Sequence, residues 1–400
     1  MRWQLFKFAF NNLKARPLRS WLTIVGVIIG IAAVVTFMLL GQGLEAGIQE
    51  QFQKIGVNKI IITPGKGAAG MIGAGIGADK FYEHDIDVIK TARGVEKVGG
   101  MGYKMAKVEF RDDVEYTFII GMPEELTIKE YGMGIEHGRD LAKNDKYKAL
   151  VGYDIYNAKF FEKPVKVGNE ILIRGKEFEV IGSVEKVGNH ADDTQIYVTY
   201  PIYEELFNEK GYSMIIAKTP EDSDTQEVAD AINEKLRKDR NLKRGKEDFS
   251  VQTFEQMMQT FANILGIVQL VVVGIATISL IVGGVGIMNT MYTSVLERTR
   301  QIGVMKAVGA KNRHILTIFV FEAGIIGLVG GAIGVVLGTL AGKAVELAAS
   351  LAGYEMLKIG LNLRVALIGL LFAFFIGVIS GFAPARQASK LNPVEALRYE

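Results

Sequence analysis

Cysteine is absent from all 400 residues. That excludes disulfides and thiolate-bound metal, and it leaves the redox compartment unreadable. Histidine is scarce: His84, His137, His190 and His314 stand far apart, with no H-E-x-x-H pair and no partner at metal-ligand spacing, so no zinc site is expected. His190, Asp192 and Asp193 do cluster in "NHADD", but between strand signals this reads as a solvated loop. No G-x-x-x-x-G-K-[ST] occurs. "GTLAGKA" at 338–344 and the Gly-rich "GKGAAGMIGAGIGAD" from Gly65 both lack the hydroxyl, and the second reads as a mobile loop. No serine sits in a G-x-S-x-G elbow. With no nucleophile and no acid–base pair, the chain is expected not to be an enzyme and to hold no catalytic, metal or cofactor residue. If ATP is used, another chain must bind it.

Charge is missing from long stretches. Trp21–Leu40, Gln256–Leu296 and Val365–Ala385 carry none, and Ile315–Gly342 carries only Glu322. Each reaches the roughly 20 residues that cross about 30 Å of hydrocarbon, and the mean hydropathy of the chain is +0.21. Four membrane spans are expected. The first is expected to be an uncleaved anchor, because its apolar stretch is too long for a signal peptide and no small-residue cleavage site follows. Acid is missing too from residues 1–42, which hold five Lys/Arg, while residues 257–400 hold eleven against six Asp/Glu. Residues 43–256 carry the reverse imbalance, 30 Lys/Arg against 38 Asp/Glu, which disfavours nucleic-acid binding there. Lys/Arg excess marks the cytoplasmic side. Arg2, Lys7, Lys14, Arg16 and Arg19 precede the first span, Arg298, Arg300, Lys306, Lys311 and Arg313 lie between the second and third, and Arg386, Lys390 and Arg398 follow the fourth. A multi-pass cell-membrane protein with both termini cytoplasmic and residues 43–256 outside is expected.

The outer segment alternates strand and helix signals. "NKIIIT" is a β-branched run, "YEHDIDVIKTA" places Ile86, Ile89 and Ala92 at helical spacing, and "VEKVGG" resembles a strand. The pattern recurs as strand "YSMIIAKT", helix "QEVADAINEKLRKD" with Val228, Ile232 and Leu236 on one face, and strand "FSVQTF". Two βαβ-like halves forming one subdomain, with a β-rich insert over about 104–205, are expected. The opening "MRWQLFKFAFNNLKARPLRS" mixes Trp, Leu and Phe with Lys and Arg. It reads either as an interfacial helix on the inner leaflet, ended near Pro17, or as a basic flank that fixes topology. Glu322 is expected to be a packing or interface residue rather than a proton relay, since a carrier usually shows several intramembrane ionisable groups.

Glycine, by contrast, is plentiful and periodic. Gly330, Gly334, Gly338 and Gly342 recur every four residues, as do Gly26 and Gly30. Small residues at this spacing let membrane helices approach closely, whether within one chain or across a dimer. The uncharged run Gln256–Leu296, at 41 residues, would make a helix of about 60 Å, twice the hydrocarbon thickness. It is expected to be a stalk continuous with the second span, a rigid lever. The competing reading is a break near Gly266.

At the inner end of this run stands "SVLERTRQIGVMKAVGAKNRHIL", Ser294–Leu316. Glu297–Val308 can be helical, with Ile302, Met305 and Val308 on one face, Arg298 and Lys306 on the other, and Gly309 closing the helix. A short basic amphipathic helix between two spans is shaped to dock on a soluble partner. "LERTRQIGVMKAVGAKNRHIL" resembles the E-R-x-x-E-I-G-[IV]-x-[KR]-A-[IVL]-G-A segment of MacB/FtsX-type ABC transporter permeases, with Gln301 where an acid is common. "GFAPARQASKLNPVEALRYE" is similar to the C-terminal motif of that family, "LKARPLRSWLTIVGVIIGIAAVV" to its first span, and the outer segment to its MacB-like domain.

The resemblance implies an α-helical membrane protein with four transmembrane helices and a large α+β extracytoplasmic domain between the first and second. It implies a homodimer, in membrane lipid, partnered by a separate ABC ATPase subunit that binds the ATP, with an extracytoplasmic adaptor as a further possible partner. The segments are an interfacial helix at 1–20, span 1 at 21–42 and the outer domain at 43–256. A stalk and span 2 at 257–293, a coupling helix at 294–314, span 3 at 315–342, an outer loop at 343–364, span 4 at 365–385 and a tail at 386–400 complete the chain. In the coupling helix, Glu297, Arg298, Arg300, Ile302, Gly303, Met305, Lys306, Val308 and Gly309 are the candidates. Arg298, Arg300 and Lys306 are expected to contact the ATPase, and Ile302, Met305 and Val308 to anchor in its groove. The expected function is an efflux or export permease that couples ATP hydrolysis to movement of the outer domain. The rival is a regulator that activates an outer enzyme or relays a signal without cargo, and a proton-coupled carrier rests on Glu322 alone.

Overall fold

The structure, a computed structural model, describes residues 17–56, 58–65, 80–355 and 357–398. The interfacial helix expected over 1–20 falls, up to residue 16, outside the described residues, as does nearly all of the Gly-rich loop. The first described helix, α1 (Pro17–Ile55), is 39 residues long, about 58 Å. It therefore continues well past the stretch at 21–42 that a bilayer requires. Ile24, Val27, Ile31, Val35 and Leu39 are buried along one side of it, at the three- and four-residue spacing of a single helix face.

The α+β domain follows as β1 (Lys59–Pro64), α2 (Glu83–Lys90), β2 (Lys97–Phe110), β3 (Asp113–Met122), α3 (Ile128–Tyr131), β4 (Ile135–Gly138), β5 (Lys148–Val151) and α4 (Tyr153–Tyr156). It continues through β6 (Glu170–Ile173), β7 (Lys176–Val184), α5 (His190–Asp193), β8 (Ile196–Thr199), α6 (Tyr200–Phe207), β9 (Met214–Lys218), α7 (Thr225–Asp239) and β10 (Phe249–Thr253). The strand order begins β10-β1-β9-β2, with every one of these pairs antiparallel. Hence β1 and β2 run parallel with β9 between them, and β9 and β10 run parallel with β1 between them. The two β-α-β halves interleave as split units. Both helices lie over one core, where Ile86 and Ile89 of α2 meet Val228, Ile232 and Leu236 of α7 above Ile60, Ile62 and Ile215. The carboxylate of Asp224 caps α7 by accepting from the amides of Gln226 and Glu227.

Strand β2 carries the chain from this subdomain into the insert. Its residues Lys97–Met101 pair with β9, and from Gly102 onward it pairs with β3. The remaining strands continue the sheet as β3-β8-β5-β7-β4, with β6 bridging β2 and β7. A second core of Val108, Ile119, Phe178, Val180, Ile196 and Tyr203 fills the insert. One expectation is corrected here. "NHADD" is not a solvated loop: Asp193 is buried, and its carboxylate accepts from the amides of Val187 at 2.7 Å and Gly188 at 2.9 Å. Those two bonds satisfy a turn that would otherwise bury bare backbone N–H groups.

After the domain come α8 (Phe254–Glu297), α9 (Thr299–Ala307), α10 (Asn312–Leu351), α11 (Leu363–Lys390) and α12 (Pro393–Arg398). Among the described residues four helices, α1, α8, α10 and α11, are long and apolar enough to cross a membrane, with the α+β domain between the first and second. Helix α8 is a single 44-residue element, about 66 Å long, with no interruption at Gly266. Helix α10 runs nine residues beyond Gly342, which shortens the connection to α11 relative to the expected 343–364 loop. Proline is tolerated inside α11 at Pro384, near its end.

By internal contacts the described residues form two compact units, one within 1–44, 264–348 and 357–400 and the other within 45–263 and 349–356. The boundaries fall inside α1, α8 and α10. In the first unit, glycine brings the helices together within one chain. A Cβ at Gly26 would lie 2.9 Å from Gly283 Cα, at Gly334 2.9 Å from Ile28 O, and at Gly338 2.7 Å from Ala32 O. Gly30 meets Leu280, Gly330 meets Ile24, and Gly342 has looser contacts with Ile359 and Leu39. A second stripe, Gly369, Ala373, Gly377 and Gly381 of α11, faces Ala323, Gly324, Gly327, Gly331 and Val335 of α10. Its four-residue period is as legible as that of Gly330–Gly342.

Candidate coupling site

The basic segment folds as α9, whose first turn follows α8 after a single residue, Arg298. Gly309, at φ +102°, reverses the chain into α10, a left-handed conformation that glycine adopts without cost. The orientation of α9 corrects the expected faces. Ile302 is 0% exposed and belongs to the core of its own unit, and Met305 packs partly buried against that core. Gly303 is buried against α12, where a Cβ would lie 2.9 Å from Ala396 Cβ. Ile302, Met305 and Val308 therefore do not form one outward anchor. Ile302, Gly303 and Met305 instead pack against other elements of their own unit.

The cations divide in the same way. Lys306 turns inward, its Nζ donating to Ser389 O at 2.7 Å and Leu391 O at 2.8 Å. Ser389 lies in the last turn of α11 and Leu391 is the residue that caps it, so the cation also meets the negative end of the helix dipole. Arg298 Nη1 lies 3.1 Å from Glu322 Oε2, with both side chains mostly buried. Glu322 is thus half of an ion pair between the α8–α9 junction and α10. The pair lines a largely apolar cavity of about 610 Å³ between α9 and α10, together with Ile302, Val304, Met305, Ile318 and Phe321.

What remains outward is Arg300, Val304 and Val308, a stripe at four-residue spacing, with Gln301 and Glu297 beside it. Val304 is 49% and Val308 85% exposed. Lys311, Arg313 and His314 extend the exposed surface into the start of α10. Of the six residues expected to contact the ATPase or anchor in its groove, only Arg300 and Val308 are exposed, and Val304 joins them; of the other coupling-helix candidates, Glu297 and Gly309 are exposed as well. The signal for Val304 was its position four residues from each. Nothing in the linear pattern announced the tail helix that covers the other side.

Lys306 supplies a test. Replacing it with methionine keeps the aliphatic stem but leaves two helix-end carbonyls without their charged donor. A loss of about 2 kcal/mol in stability is expected, seen as a lower thermal midpoint of the purified chain in detergent. Arg300→Ala should leave the midpoint unchanged. Equal midpoints for both variants would return Lys306 to the partner-facing set.

Residues 20–235 match the model of the MacB-like periplasmic core domain, and residues 273–393 match that of the FtsX-like permease C-terminal region. The chain belongs to the MacB/FtsX-type family of ABC transporter permeases. An uncharacterized ABC transporter permease of Methanocaldococcus jannaschii is 39% identical over 99% of this chain and 98% of its own length. YknZ of Bacillus subtilis, also described as an uncharacterized ABC transporter permease, is 30% identical over 98% of each chain. The macrolide export ATP-binding/permease protein MacB of Campylobacter jejuni is 31% identical over 99% of this chain but only 62% of its own length. The FtsX-like match takes in the end of α8, α9, α10 and α11, so the outward stripe lies inside the family's shared region. In MacB/FtsX-type terms, the four apolar helices and the intervening α+β domain make this a multi-pass membrane permease.

Proposed function

We propose that the chain is the permease subunit of an ABC transporter in which a separate ATPase docks on the outward stripe of α9 and drives movement of the extracytoplasmic domain, exporting cargo. The observation that carries this reading is the single uninterrupted helix α8, which follows β10 directly and is separated from α9 by Arg298 alone. A long helix curves only gently unless something such as a proline kinks it, and α8 contains no proline, so it is suited to carry displacement along its axis. The ATPase is assigned to another chain because no G-x-x-x-x-G-K-[ST] occurs in this sequence, and the relative from Methanocaldococcus jannaschii, matched over 98% of its own length, is described as an ABC transporter permease. The Lys/Arg distribution supports cytoplasmic termini and a cytoplasmic α9. A homodimer in lipid accounts for the exposed Ile267, Leu270, Val271, Ile278 and Ile281 of α8, a face needing either a second copy or acyl chains. An extracytoplasmic adaptor would complete an export path.

The test is co-reconstitution with the ATPase found by co-purification. Val304→Glu together with Val308→Glu places charge on an exposed apolar stripe without touching the core. Stimulation of the ATPase by the permease should fall at least about tenfold, the scale of losing a small apolar hot spot, with the thermal midpoint unchanged. Undiminished stimulation would refute docking on this face. A macrolide, the cargo in the description of the Campylobacter jejuni relative, is the first transport probe. Domain movement without flux of any tested cargo would favour the regulator.

A further inference from the structure

The α+β domain holds a cavity of about 240 Å³ where β2 passes from the interleaved subdomain into the insert. Three tyrosines and three methionines line it: Tyr103, Tyr131, Tyr197, Met101, Met133 and Met214. Their placement follows from the topology. Met101 and Met214 are register partners across β2 and β9, so two thioethers enter side by side. Tyr103, two residues on from Met101, stacks on Phe118 with ring centroids 4.3 Å apart. Gly132 closes α3 at φ +97° and lets Tyr131 and Met133 both reach the wall.

The polar groups of the cavity are held in one chain. The Tyr197 hydroxyl donates to Gln195 Oε1 at 3.1 Å, and Gln195 Nε2 donates to Asp192 Oδ1 at 2.8 Å. Asn189 Nδ2 donates to Asp192 Oδ2 at 3.1 Å. Burial, and then the neighbouring Asp193 charge, push the Asp192 carboxyl above its usual range. Burial first and the Asp192 charge second push the phenols of Tyr103 and Tyr131 up to about 12. Among the described residues of the wall, Glu185 is the other acid and Lys186 the only cation. The Lys186 Nζ is held by Glu355 Oε2 at 2.5 Å.

This combination selects by charge and softness. An anion would meet two carboxylates. A divalent metal would want a cluster of three or more His and acid ligands, and none exists among the described residues. A neutral apolar molecule would leave the carboxylates uncompensated. Aromatic faces attract alkylated ammonium groups through the ring quadrupole, and methionine adapts to irregular apolar shapes. We propose that this cavity binds a small organic ammonium ion, with its charge facing Asp192 and Glu185 and its alkyl groups against the tyrosines and methionines. None of these residues belongs to the coupling site, and the site does not depend on ATP-driven movement.

Choline and its neutral isostere 3,3-dimethylbutan-1-ol separate charge from shape. Titration calorimetry of the full chain in a non-ionic detergent, without ATP or ATPase, should give a dissociation constant for choline at least about tenfold below that of the alcohol. Tyr131→Leu and Asp192→Asn should each weaken choline about tenfold or more. Tyr131→Phe, which keeps the ring, and Tyr116→Leu, at an exposed position outside the cavity, should bind like the parent. Circular dichroism of each variant guards against misfolding. Equal binding of the alcohol, indifference to Asp192→Asn, or no binding of either choline or benzyltrimethylammonium would overturn the assignment.

Discussion

Under the proposed coupling, Gly266→Pro should disconnect the extracytoplasmic domain from a partner ATPase while leaving both intact. A Cβ at Gly266 would meet nothing within 4 Å, so the substitution removes no packing and creates no clash with a neighbouring element. What it removes is the amide that bonds back one turn, and the ring crowds the carbonyl four residues earlier, a local cost of about 3 kcal/mol. Helix α8 should kink there. The absence of cysteine from the chain provides a clean readout, since a single fluorophore at Tyr116→Cys, on an exposed position of β3, is unambiguous. In co-reconstituted vesicles, the ATP-dependent change in that signal should fall by at least about tenfold in Gly266→Pro. It should persist in Gly266→Ala, which favours helix by about 1 kcal/mol. If the proline variant moves as the parent does, the rod is not the route, and α1 or α10, each of which also crosses between the two units, becomes the candidate.

Gly338→Leu should have the largest effect on folding. The new Cβ would lie 2.7 Å from Ala32 O and 3.0 Å from Val35 Cβ. A backbone carbonyl cannot rotate away as a side chain can, so α1 and α10 must separate along their shared stripe. Overpacking of this kind costs about 1–3 kcal/mol where side chains absorb it, and more when backbone must move. The expected result is a large drop in the thermal midpoint and in the yield of monodisperse protein. Two controls grade the effect. Gly342→Leu has its nearest neighbour at 3.5 Å, the end of the Ile359 side chain, and Gly274→Leu has none within 4 Å. The order should be Gly338 worst, Gly342 intermediate and Gly274 near the parent. A severe Gly274 variant would mean that this face of α8 is packed in the assembled protein, as a homodimer would require, and the steric account of the monomer would have to yield to it.

The two variants probe different parts of the same device. Gly338 belongs to the packing that makes the membrane unit one body, and Gly266 to the element that leaves it. The Arg298–Glu322 pair belongs with the first. Removing the partner of a mostly buried charge is costly, so Glu322 needs no proton-relay role to account for an acid in an apolar run. Its partner is 24 residues away in the chain, across the α9 turn, so the expectation of a packing or interface residue could be read from the sequence but the identity of the partner could not.

Much of the molecule was legible before its structure. Apolar length counts residues against a fixed bilayer thickness, so four spans and the place of the intervening domain follow from the chain alone. Helical and strand periods report which residues share a face, and Ile86, Ile89, Val228, Ile232 and Leu236 are buried as their spacing implies. The repeated glycines of α10 announced a close approach, and two motifs in order supplied the family. Periodicity is silent, however, about what lies opposite a face. Strands β1 and β9 pair across more than 150 residues, so the interleaving of the two halves depends on closures that no local pattern records. Helix α9 makes the same point for function. Its spacing marked an apolar face and a basic one, yet the tail helix α12 and the carbonyls of Ser389 and Leu391, more than 80 residues downstream, take up Gly303 and Lys306. Burial depends on neighbours brought from afar, and those neighbours left Arg300, Val304 and Val308 facing out.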